Sequence, residues 1–180
     1  MKTITRFLRK YPKVQSILRV MLSFLPWNST KKVPRKKGLQ IKVQRQWTNY
    51  SCCAAVAQMV AQYYGIRLGH RKAIQLTKCK PNGTTLEKVG KVLSREYGLV
   101  ARSLRTKNQI RRSLQQEYPV MTNDSLTYVE DHAILLVGET PKGFWIADPA
   151  TCSLYWRHED RVMAGADEFI AVEGERAIAN

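Results

Sequence analysis

The sequence predicts an α+β domain in which a helical first half packs on a mostly antiparallel sheet made by the second half. Two observations lead there. Apolar residues of the first half recur at helical spacing, while the second half breaks into short β-branched or aromatic runs separated by turn residues. Helices first and strands after imply two layers, and the seam between them is where a cleft forms.

The first helix is carried by Cys52, Ala55, Val56, Met59, Val60 and Tyr63, which fall on one face. Ser51 suits its N-cap and Gly65 its stop. A second helix is expected from Thr84, with Glu87 completing a capping box, a face of Leu86, Val89, Gly90, Leu93 and Tyr97, and Gly98 as its end. A third is expected around 109–117. Strands are expected at 119–122, 132–139, 144–148, 153–156 and 168–173. Pro141, Lys142 and Gly143 form a hairpin-type connection between two of them.

A chain of 180 residues suits one domain plus an appendage. At 44% hydrophobic residues it can bury a core, which excludes disorder throughout. The net charge of +16 is lopsided: no Asp or Glu precedes Glu87, while 18 of the 30 Lys and Arg do. Such asymmetry points to an anionic partner: a membrane surface, a nucleic acid or an acidic protein. No helix-turn-helix, zinc-finger or RNA-binding signature is present, so no specific nucleic acid is expected. The four cysteines, Cys52, Cys53, Cys79 and Cys152, include no CxxC pair. A reducing, cytosolic setting fits them better than a disulfide scaffold. With His70 they lack the ligand spacing of a zinc site, so neither metal nor cofactor is expected.

Three segments follow. Residues 1–38 read as a basic appendage and linker, 39–174 as the folded domain, and 175–180 as a tail. The apolar run VQSILRVMLSFLPW (14–27) is interrupted by Arg19 and is too short and charged to span a bilayer. No convincing small-residue cleavage site follows it. It reads as an amphipathic segment on a membrane or partner, or as an appendage packed on itself. The expected location is cytoplasmic, with contact at the inner membrane face as the peripheral variant.

Four residues have spacing that suits catalysis. Cys52 heads the first helix, where free N–H groups and the helix dipole favour a thiolate and an oxyanion. His132 opens the strand HAILLVG, and Asp148 ends the next strand. If the two strands form a hairpin, His132 and Asp148 fall at the same end, where the carboxylate can orient the imidazole. Gln46, six residues before Cys52, can donate into the oxyanion site. Each alone has a plainer reading: a buried Cys, a strand-end His, an Asp-Pro turn and a polar loop Gln.

The run QWTNYSCCAAVAQMVAQYYG (46–65) resembles the start of the bacteriocin-processing peptidases, the papain-like domains that remove double-glycine leader peptides. GTTLEKVGKVLSREYGL (83–99), YPV (118–120), HAILLVG (132–138) and WIADPA (145–150) are similar to further segments of that family, in the same order. The resemblance covers about residues 40–173. Ser51 departs from the Asp that precedes the family's nucleophile, and Cys53 from the Gly that follows it.

The resemblance implies a papain-like fold and a free-standing cysteine peptidase. Cys52 would be nucleophile, His132 base, Asp148 orienting acid and Gln46 oxyanion donor. The implied substrate is a peptide or precursor cleaved after small residues such as a double glycine. Two other readings stay open: an inactive peptidase-like domain that binds a leader or partner, and a basic protein that binds an anionic surface.

Overall fold

The structure, a computed structural model, describes residues 38–127 and 131–176. The expected appendage, nearly all of the linker and the last four residues of the tail lie outside the described residues. Within them the element order is α1 (Cys52–Tyr63), α2 (His70–Thr77), α3 (Leu86–Tyr97), β1 (Val100–Leu104), α4 (Lys107–Gln115), β2 (Val120–Asn123), β3 (Ala133–Thr140), β4 (Gly143–Asp148), β5 (Ser153–His158), α5 (Glu159–Gly165) and β6 (Phe169–Glu173). No described helix is long and apolar enough to cross a membrane.

The strands form one antiparallel sheet in the order β1-β6-β2-β3-β4-β5. Helices cover both faces, not one. Helices α1–α3 and residues 39–43 pack on one face through Met59, Val60, Leu93, Leu135, Val137 and Val172. Helices α4 and α5 pack on the other through Ile110, Leu114, Val162, Ile134, Leu136 and Phe144. The expected single seam is therefore two. The reason lies in β3, whose apolar run is buried from Ala133 to Gly138 without alternation, the pattern of a strand covered on both sides.

The hydrophobic periodicity places α1 as expected. The helix is stopped by Gly65 at φ 78°, and the hydroxyl of Tyr64 donates to the carbonyl of Val172, 2.6 Å away, docking it on the sheet. Helix α3 starts later than expected. Thr85 is its N-cap and accepts from the Lys88 N–H, because the Thr84 hydroxyl donates instead to the Thr77 carbonyl. Glu87 pairs with Lys91 rather than closing a capping box. At α4 a full capping box does form, between Thr106 and Gln109. Helices α2 and α5 and strand β1 have no counterpart in the sequence reading. They are short or largely exposed, with three, two and one buried residues.

Candidate active site

Ser51 is the N-cap residue of α1, yet no side chain caps that helix. The Ser51 hydroxyl accepts from the N–H groups of Trp47 and Thr48, at 3.1 and 3.0 Å. It thus closes the loop 46–51 and leaves the head of α1 to Cys52. The unfilled N–H donors of a helix head and its dipole favour negative charge there.

The β3–β4 hairpin brings His132 and Asp148 together as the spacing predicts. His132 Nε2 lies 2.9 Å from Asp148 Oδ1, and both side chains are buried. That contact leaves the other ring nitrogen for Cys52, with which His132 shares a hydrogen bond. Asp148 Oδ1 also accepts from the Ala150 N–H at 2.8 Å, so the carboxylate is held by its own turn.

The electrostatics favour an ion pair. The thiol of Cys52 is pulled down to about 4 by its hydrogen bond with Cys53 and, against burial, by His132 and the Ala133 N–H. Burial alone would lower His132, but Asp148 and Cys52 outweigh it and hold the imidazole up at about 9. Between those limits a thiolate faces an imidazolium. Cys53 is pushed upward by its bond with Cys52 and by burial, and the Thr84 carbonyl, 3.2 Å from its Sγ, is the competing acceptor for its single proton. All four cysteines are free. Among the described residues no group of His, Cys, Asp and Glu is arranged to hold a metal ion.

Gln46 is tied to the same end of the sheet, since its N–H donates to the Pro149 carbonyl at 3.0 Å. Its side-chain Nε2 donates to Thr48 O at 2.8 Å, while Oε1 is buried without a partner. One Nε2 hydrogen is used by Thr48, and the second is the one available to an oxyanion.

Two supporting networks escaped the sequence reading. His70 is buried, with Nδ1 3.1 Å from Gln58 Oε1 and Nε2 3.3 Å from Ser51 Oγ. The Trp47 N–H also donates to Nε2, at 3.4 Å, and the Trp47 ring lies 4.8 Å from the imidazole. A relay from α1 through α2 thus holds the loop before Cys52. On the other side, Tyr155 donates to Asp148 Oδ2 and accepts from Arg157. Arg157 pairs with buried Asp124 at 2.6 Å, and the Asp124 N–H donates to the His132 carbonyl. These contacts close a ring behind the His132–Asp148 pair. No motif announces either network; a polar residue among apolar neighbours, as with Gln58 in α1, is the one sequence signal.

The model of the peptidase C39 family matches residues 40–160. None of the curated proteins searched matches the chain. The crystal structure of a double glycine motif protease from an AMS/PCAT transporter, in complex with the leader peptide, is 20% identical with a TM-score of 0.63. The match covers 77% of this chain and 94% of that one. The peptidase domain of Streptococcus ComA, a bifunctional ABC transporter of a quorum-sensing pathway, is 19% identical with a TM-score of 0.65, over 74% and 98% of the two chains. The peptidase domain of Streptococcus mutans ComA is 16% identical with a TM-score of 0.57, over 74% and 99%. At these identities the likeness is one of fold: the papain-like fold that the sequence reading expects.

Proposed function

The chain belongs to the peptidase C39 family, and from that membership and the site's geometry we propose that it cleaves a peptide or precursor after small residues such as a double-glycine leader. The observation that carries the reading is the buried His132, hydrogen-bonded to Asp148 on one side and to Cys52 at a helix head on the other. The catalytic unit is residues 39–174.

The Cys52 thiolate attacks the scissile carbonyl carbon. The carbonyl electron pair moves to oxygen, where the N–H groups at the head of α1 and the free hydrogen of Gln46 Nε2 receive it. His132 gives its proton to the departing amine nitrogen, the C–N bond breaks, and an acyl thioester remains. Neutral His132 then takes a proton from water, which attacks the thioester and releases the carboxylic acid and the Cys52 thiolate. Asp148 keeps the imidazole in place and favours its charged form.

A peptide library built around Gly-Gly sites, incubated with the full chain and read by mass spectrometry beside Cys52→Ala, tests the reading. Cleavage on the carboxyl side of small residues by the parent alone is expected. Equal fragment patterns from both proteins, or none from either, would leave a peptidase-like binding domain.

A further inference from the structure

The described basic residues divide at Glu87. Every ion pair among the described residues uses a base that follows it, from Lys91 to Arg176. The basic residues described before it, Lys42 to Lys80, are all exposed, and none pairs with a carboxylate among the described residues. Three of them line two adjoining clefts beside α1 and α2. One, of about 570 Å³, lies among Trp47, Gln58, His70, Arg71, Lys72 and Gln75. The other, of about 360 Å³, reaches Arg67 and shares Gln58 and Gly69 with the first.

We propose that this cleft is a substrate subsite that binds a polypeptide segment carrying carboxylates, seated beside the loop that leads to Cys52; the proposal rests on the peptidase reading above. Charge complementarity selects the sign, because Arg71 and Lys72 sit at its wall and no carboxylate among the described residues pairs with them. Shape selects the class. A concavity of this size suits a few residues of extended chain, not a flat lipid surface or a duplex groove. Its lining suits a peptide as well: glutamine amides can bond a backbone, and Trp47, 64% exposed, offers an apolar wall to side-chain methylenes. The position joins the cleft to the chemistry. The Trp47 N–H and His70 Nε2 both contact Ser51 Oγ, and Ser51 adjoins Cys52. A chain leaving the cleft therefore reaches the nucleophile within a few residues, at about 3.3 Å each.

The test is zero-length cross-linking. A hexaglutamate peptide, activated with a water-soluble carbodiimide, is offered to the full-length Cys52→Ala protein at low salt, and coupled lysines are mapped by mass spectrometry. Lys72 should couple at least tenfold more than exposed Lys88 and Lys142. Arg71→Glu should cut the Lys72 yield about tenfold, Arg71→Gln should cut it less, and Lys88→Glu should leave it within twofold. A thermal melt checks that each variant is folded. Equal coupling at Lys72, Lys88 and Lys142 in folded protein overturns the subsite. So does protection of Lys72 by anionic lipid vesicles or an RNA oligomer at a lower concentration than free hexaglutamate. Because labelling needs no turnover, selective coupling at Lys72 without any hydrolysis by the parent supports the cleft while sinking the peptidase reading. Hydrolysis without selective coupling does the reverse.

Discussion

His132 Nε2 stands 2.9 Å from Asp148 Oδ1 across the open end of the β3–β4 hairpin, and a β-bulge puts the two on one face. Near the turn, Thr140 pairs with Gly143 and Gly138 with Trp145; beyond the irregularity, Leu136 pairs with Ile146 and Leu135 with Ala147. The extra residue, Val137, shifts the register by one. Continuing the shifted register sets Asp148 opposite Ile134, hence on the face that His132 shares two residues earlier. Without the bulge Asp148 would fall opposite Leu135 and point away, since a one-residue slip reverses every side chain.

Asp148→Asn is expected to keep the shape of that contact and remove its charge. The imidazolium loses the carboxylate that raises it, so the His132 pKa should fall from about 9. Turnover should fall about a hundredfold. Steady-state kinetics with an NMR titration of His132 checks both, and an unshifted titration would show that Asp148 does not set the charge of the ring.

Peptide hydrolysis should follow a bell-shaped pH profile. As pH rises through about 4 the Cys52 thiol loses its proton, and activity appears. As pH rises through about 9 the His132 imidazolium loses its proton, and the general acid for the leaving amine disappears. Iodoacetamide alkylation of Cys52 needs only the thiolate, so it should rise on the acid side and show no alkaline fall. An alkylation midpoint near that of an ordinary thiol, in folded protein, would contradict the ion pair.

Gln46→Ala separates oxyanion binding from thiolate formation. Hydrolysis should drop about a hundredfold or more, the usual effect of removing one oxyanion donor. Alkylation at carbon creates no oxyanion, so the rate at Cys52 should stay within a fewfold. Parallel losses in both assays would mean that Gln46 supports the loop rather than the transition state.

His70 is expected to act on Cys52 through Ser51. His70→Ala takes away the ring nitrogen 3.1 Å from buried Gln58 Oε1 and the Nε2 partner shared by Ser51 and the Trp47 N–H, which should cost about 2 kcal/mol of stability and slow turnover about tenfold through misplacement of the loop. His70→Gln places a carbonyl near the position of Nε2 and should recover most of kcat. Denaturant melts and kinetics on both variants distinguish the two losses.

Arg157→Ala leaves Asp124, which is 1% exposed, as a buried charge without its 2.6 Å partner. A loss of about 3 kcal/mol is expected. Adding Asp124→Asn should recover part of it, and urea melts of the single and double variants give the coupling.

The helix headed by Cys52 and the hairpin ending in His132 and Asp148 were legible because their signals are local. One is an apolar repeat within a dozen residues, and the other is a turn between two apolar runs. Helix α2 escaped because Gly69 gives it no side-chain cap and only His70, Ala73 and Thr77 are buried. Strand β1 escaped because it is a mostly exposed edge. The choice between Thr84 and Thr85 as N-cap was not local either, since the carbonyl that draws Thr84 away belongs to Thr77.

By itself, the sequence determined the α+β order, the thiol at a helix head, and the return of His132 and Asp148 to one end of a hairpin. Tertiary structure decided the rest: the bulge that turns Asp148 to face His132, the relay from Gln58 through His70 to Ser51, and the ring through Tyr155, Arg157 and Asp124. The physical reason is range. Periodicity and turn chemistry act over a few residues and leave a pattern in the chain. A hydrogen bond between residues 12 to 33 positions apart depends on how helices and strands pack, and leaves none.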